Sequence, residues 1–241
     1  MWTRRELKEN AKIVLKRNYW LAFAVVLIAG LVGGVGDGVT AVIDVATELE
    51  IHVPETLVFA ASVFSVIVGI FITGPITIGK LRFMMQSREY DTEFGTLFSG
   101  FDGAEFGRNV KIMLVRDIKV LLWTFLLIIP GIIKGYEYYF VPYILAENPD
   151  LPQQRVFELS REMTRGYKWD IFVLEFSFFG WYLLGALCLG VGTLFVNPYW
   201  EATFAELYAA QRAHVLNAGL VGENELCGFG RYVENRYNEW Q

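Results

Sequence analysis

The chain has 241 residues, 54% of them hydrophobic and 16% aromatic, with a formal net charge of -5 and a mean hydropathy of +0.36. That composition is too apolar for a single water-soluble core and puts the chain among integral membrane proteins. It also excludes nucleic-acid binding, because the basic side chains are outnumbered by acids and sit at the borders of apolar runs.

Residues 3–17 open with Thr3 and Glu6 at capping-box spacing, and Leu7, Ala11, Val14 and Leu15 share one helical face opposite a basic one. The pattern predicts an amphipathic helix over residues 1–18 lying on cytoplasmic headgroups; the plainer alternative is an orientation signal for the first span. The apolar run from Tyr19 to Val35 is long and is followed by no small-residue cleavage site, so it reads as a first transmembrane helix rather than a secretory signal. That span ends near Gly36 in a glycine-rich stretch suited to close helix packing. The loop after it holds Asp37, Asp44, Glu48, Glu50 and Glu55 with no basic residue and should face outward. Span two covers about 57–78, and Pro75 predicts a kink by freeing the carbonyl of Phe71. Residues 80–111 then mix acids, bases and aromatic-glycine pieces, as expected of a structured cytoplasmic loop.

The stretch from Ile112 to Glu147 organises the chain. Ile112 to Ile129 would cover about 27 Å as a helix, close to the hydrocarbon thickness, whereas all 36 residues in one rod would measure roughly 54 Å. Pro130 and Gly131 are therefore read as the turn of a hairpin, giving spans three and four. Tyr136, Tyr138, Tyr139 and Tyr143 form an aromatic belt, with Pro142 as a kink. Residues 148–170, with Val156, Leu159 and Met163 at helical spacing, read as a second cytoplasmic surface helix. Residues 171–210 make either two helices turning at Gly190–Gly192 or one rod of roughly 60 Å, which is the five-span alternative with the tail outside. Residues 213–241, with Arg231 and Arg236, form a polar cytoplasmic tail.

The expected fold is an all-α, polytopic membrane helical bundle. It has six transmembrane helices as three hairpins over residues 19–212, plus cytoplasmic amphipathic helices, in one domain. Basic inner segments and acidic or short outer loops place it in the plasma membrane with N- and C-termini cytoplasmic. Pro75, Pro142 and Pro198 each fall in an outward-to-inward helix, which suggests weak parallel repeats; the alternative is the general frequency of proline in membrane helices.

Ionisable groups inside the apolar runs are the candidate sites. Arg116 and Glu175 fall at similar depth and predict an ion pair that fastens two hairpins or gates a cytoplasmic cavity. Glu201 lies nine residues past the last turn, roughly 14 Å in, and is i+4 from Asn197 beside the Pro198 kink. Together Asn197 and Glu201 make a candidate intramembrane polar site for a proton, a cation or a polar substrate group; the alternative is that bend and water leave Glu201 wet. No nucleophile elbow, zinc-protease or aspartyl-dyad motif is present, and His52 and His214 stand alone, so catalytic residues, metal and cofactors are all expected to be none. Cys188, in an apolar run, and Cys227, in the tail, predict no disulfide framework.

Several words recur with a known pattern: Arg5-Glu-Leu-Lys-x-x-Ala-Lys12 with Asn18-Tyr-Trp20, Leu122-Trp-x-x-Leu-Leu-Ile-Ile-Pro-Gly-Ile-Ile-Lys134, Pro142-Tyr-Ile-Leu-Ala146, and Phe178-Phe-Gly-Trp181 leading to Pro198-Tyr199. In these the chain resembles the uncharacterised bacterial membrane family known as domain of unknown function 975, found mostly in Gram-positive bacteria. Glu147 precedes Asn148-Pro149 where that family more often has aspartate. The resemblance implies a multi-pass plasma-membrane protein and carries over no activity or site. The sequence thus points to a non-enzymatic protein of envelope homeostasis whose partners are membrane lipids or a membrane protein. A small transporter or channel-like subunit with a cavity near Asn197 and Glu201 is the alternative.

Overall fold

The computed structural model describes residues 2–89, 92–188, 190–222 and 225–226. Among these residues the secondary structure is helical, without a strand. The elements are α1 (Arg4–Gly33), α2 (Val35–Glu48), α3 (Glu55–Val68), a π-helical turn (Gly69–Thr73), α4 (Gly74–Gln86), a 3-10 helix (Phe94–Phe101), α5 (Gly103–Leu126), α6 (Ile128–Glu137), α7 (Val141–Glu147), α8 (Gln153–Thr164), α9 (Lys168–Phe176), α10 (Phe179–Leu187) and α11 (Val191–Asn217). Three helical stretches are long and apolar enough to cross a membrane: Arg4–Gly33, Glu55–Gln86 and Lys168–Leu187.

Antiparallel helix pairs form where the chain reverses. The first pair is α2 on α3, and here the expectation of an outer loop beginning at Asp37 is corrected. Gly34 stays in the right-handed helical region, and the amide of Gly38 donates to the carbonyl of Gly34 at 2.8 Å, so the helical ladder runs on to Glu48. Asp37 and Asp44 ride on α2, and the turn lies at residues 49–54. Gly36 permits this pairing, since a Cβ there would stand 2.9 Å from the Ser65 hydroxyl.

The second pair is α5 on α6, and the turn expected at Pro130 and Gly131 falls earlier. Leu127 alone is extended (φ -159, ψ 140), and α6 starts at Ile128. Pro130 sits in the first turn of α6, where its missing N–H would have had no helical acceptor. Gly131 lies inside the helix rather than at the bend: a Cβ there would overlap Thr124, so it sets how closely α6 lies on α5. The third pair, α10 on α11, turns through Gly190 in the left-handed region (φ 79). Gly185 and Gly192 meet backbone to backbone, a Cβ on Gly192 falling 2.6 Å from the Gly185 Cα. A continuous rod over 171–210 is therefore absent.

The prolines expected to kink helices behave in three ways. At Pro75 the helix widens into the π turn before α4, which takes up the lost hydrogen bond. Pro142 begins a helix instead of bending one, in the first turn of α7 after a break at residues 138–140. Pro198 lies inside the unbroken α11.

The core sits around the second half of α11, where Thr203–Arg212 and Ala202 are all buried. α1 runs antiparallel to it: the Trp2 indole nitrogen lies 3.0 Å from the Gln211 side-chain amide, the Lys12 ammonium lies 5.7 Å from the Tyr199 ring, and Phe23 stacks on Phe195. The capping box read from Thr3 and Glu6 is formed. The apolar face behind it is not laid on lipid, however: Leu7, Ala11, Val14 and Leu15 are buried within the protein. α8 likewise turns Val156, Leu159 and Met163 into the core. Each large apolar side chain so covered contributes roughly 1.5–3 kcal/mol. The 3-10 helix lies on α4 through two glycines, because a Cβ on Gly79 would overlap the Leu97 carbonyl and one on Gly100 the Pro75 carbonyl.

Many exposed large apolar side chains lie on α2, α3, the end of α5, the start of α6, α9, α10 and the start of α11, with Trp20 and Leu31 exposed on α1. The described end of the tail folds back on α8: Arg155 donates to both Glu225 carboxylate oxygens, at 2.7 and 2.8 Å. That pairing holds the Glu225 carboxyl below the ordinary carboxylate range. Cys227, Arg231 and Arg236 lie outside the described residues.

Candidate functional site

α4, α5, α7 and α11 enclose one cavity of about 540 Å³. With Gly79 pressed against the 3-10 helix, the next residue, Lys80, is carried round to the cavity side of α4. Arg116, Asp117, Val120, Leu121 and Thr124 recur along one side of α5, as helical periodicity requires. The break between α6 and α7 brings in Tyr138, Tyr139 and Tyr143, and α11 supplies Trp200 and Glu201.

The charged side chains of the cavity are already paired. Lys80 donates to Glu201, with 18% and 15% of the two side chains exposed, so this pair is largely withdrawn from water. Arg116 donates twice to Asp117, at 2.9 and 2.6 Å. Tyr139 and Tyr143 stack with ring centroids 6.2 Å apart, and Tyr143 stacks in turn on Tyr208 at 5.3 Å. Leu81, Val120, Leu121 and Trp200 give the rest of the wall an apolar surface. Leu121 and Thr124 are exposed on α5, so the cavity opens sideways past that helix. A charged inner end and an apolar, laterally open wall suit a molecule that is polar at one end only.

The residues singled out from the sequence are redistributed by the fold. Arg116 and Glu175 do not pair. Arg116 is taken by its neighbour Asp117, while Glu175 accepts the Tyr136 hydroxyl, so α6 and α9 are joined by a tyrosine. Asn197 and Glu201 follow each other on α11 yet answer to different helices, Asn197 accepting the Tyr182 hydroxyl of α10 at 2.9 Å and Glu201 facing Lys80 of α4. Arg116 and Glu201, treated separately in the sequence, line the same cavity.

Lys80 was missed as a site residue because it reads as the basic flank of a span. Two buried ion pairs were also missed: Arg88 with Glu206 at 2.7 Å, and Arg212 with Glu147 at 2.8 Å, the latter joined by the Tyr208 hydroxyl at 2.6 Å. The signal for them was present in α11, where Glu206, Gln211 and Arg212 alternate with Ala202, Ala205, Ala209 and Ala210. Small residues that let other helices approach, mixed with long polar ones, mark a helix enclosed by protein. Among the described residues no group of three or more His, Cys, Asp or Glu side chains is placed to hold a metal ion.

No curated protein and no solved structure matches the chain. One family does: residues 125–214, from the end of α5 to near the end of α11, match the family model described as a protein of unknown function, DUF975. The likeness read from the sequence is supported over those residues, which hold the tyrosines, Trp200 and Glu201 of the cavity but neither Lys80 nor Arg116.

Proposed function

We propose that this is a non-enzymatic, multi-pass protein of the bacterial plasma membrane that binds a lipid in the α4–α5–α7–α11 cavity, in the service of envelope homeostasis. On this reading the chain crosses the membrane six times within residues 19–212, and both termini are cytoplasmic. The observation that carries the proposal is the cavity itself, in which the Lys80–Glu201 and Arg116–Asp117 pairs meet stacked tyrosines and an apolar wall open to the side. A lipid headgroup can insert between the two halves of an ion pair, with its phosphate toward Lys80, while its chains leave past Leu121.

Native mass spectrometry of the detergent-purified protein tests this reading. Phospholipid is expected to be retained, and Lys80→Gln should lower its affinity about tenfold, the loss of one charge-assisted hydrogen bond. Retention unchanged by that substitution would overturn the proposal. The transporter alternative draws on the same charges of both signs in one open cavity. It predicts ion or solute flux in proteoliposomes that Glu201→Gln abolishes.

A further inference from the structure

We propose that the groove at the junction of α8 and α9 is a second and separate site, which holds the headgroup of an anionic phospholipid. Gly166, in the left-handed region (φ 82), lets α8 end and α9 begin within a few residues, so Arg165 and Lys168 flank one sharp turn. They join Arg161, Glu137, Glu162 and Trp169 around a space of about 360 Å³. Cations prevail there. The Glu137 carboxylate is met by Lys134 at 2.5 Å, by Lys168 at 2.9 Å and by Arg161 at 3.9 Å, more positive charge than it can balance. Arg165 touches Glu162 at 3.6 Å and keeps 80% of its side chain exposed. Asp170, on the first turn of α9, is the other acid nearby and is itself exposed.

A second feature begins at the same place. Trp169, Phe172, Phe176 and Phe179 follow one another along a single helical face, with ring centroids 5.1, 6.2 and 5.7 Å apart. They are 72%, 39%, 63% and 59% exposed, so among the described residues nothing covers the row. Tryptophan at the charged end and phenylalanines beyond it reproduce the order of interface and hydrocarbon. A soluble phosphate would satisfy the arginines and leave the aromatic row bare. A phospholipid satisfies both, with its phosphate among the cations and its chains along the rings.

The test uses the full-length protein in neutral detergent, titrated with phosphatidylglycerol or with phosphatidylcholine of the same chains, with bound lipid counted by native mass spectrometry. Phosphatidylglycerol should bind about tenfold more tightly than phosphatidylcholine, and Arg161→Gln with Arg165→Gln should remove that preference. Both arginines are mainly exposed, so the double variant is expected to fold; Arg165→Gln alone supplies a milder variant with a partial loss. Lys111→Gln, at an exposed position on α5 that lines neither this groove nor the cavity, is the control and should leave the preference intact. Equal binding of the two lipids, an unaltered preference in the double variant, or displacement of phosphatidylglycerol by millimolar inorganic phosphate would each overturn the proposal.

Discussion

Replacing Glu147 by alanine should destabilise the protein by about 3–5 kcal/mol, the largest effect expected of any single substitution at a polar position. The Glu147 carboxylate is wholly buried and accepts from both Arg212 and Tyr208. Arg212 is itself buried on α11 and donates also to the Leu226 carbonyl. Truncating Glu147 leaves a desolvated guanidinium without its counter-charge and a phenol without its acceptor, and both costs fall in the centre of the bundle. Thermal unfolding in detergent should show a fall of about 10 °C. Glu147→Gln, which keeps an acceptor for Tyr208, should fall less. Pairing Glu147→Leu with Arg212→Met should recover part of the loss, because two apolar side chains avoid the unbalanced charge. A single variant as stable as the parent would mean that the ion pair is open to water.

Gly79→Ala should cost about 3 kcal/mol, although it adds one methyl group to a helix, a change that normally stabilises. The added Cβ would overlap the Leu97 carbonyl, which is backbone and cannot rotate away. The 3-10 helix would have to lift from α4, taking the fully buried Leu97 with it. Gly100→Ala should behave alike, since its Cβ would meet the Pro75 carbonyl. Gly107→Ala is the control: nothing lies within 4 Å of a Cβ there, and a gain of about 0.5–1 kcal/mol is expected. Equal midpoints for the Gly79 and Gly107 variants would contradict this packing.

Local patterns in the sequence carried the local structure. Thr3 and Glu6 announced their cap, and the glycines at 190 and 192 marked a reversal. What the sequence did not carry was the identity of whatever covers an apolar face. Leu7, Ala11, Val14 and Leu15 have the same spacing whether lipid or protein lies against them, and here α11 does. The turn at Leu127 was hidden for another reason: Pro130 and Gly131 are strong turn residues, but proline is as well suited to the first turn of a helix and glycine to a close crossing. The Lys80–Glu201 pair joins residues 121 positions apart, and no periodicity links them. Charge position along the chain located Arg116 and Glu201 as unusual, but only their meeting in space makes a cavity of them.

Photocrosslinking from inside that cavity tests the lipid-binding account most directly. A benzophenone amino acid in place of Tyr143, whose side chain is buried on the cavity wall, can reach a phospholipid only if one enters. The same group in place of Phe125, which is 82% exposed, reports lipid at the outer surface. The account predicts phospholipid adducts at both positions, with the Tyr143 adduct lost in Lys80→Gln. Adducts at Phe125 and none at Tyr143 would contradict it.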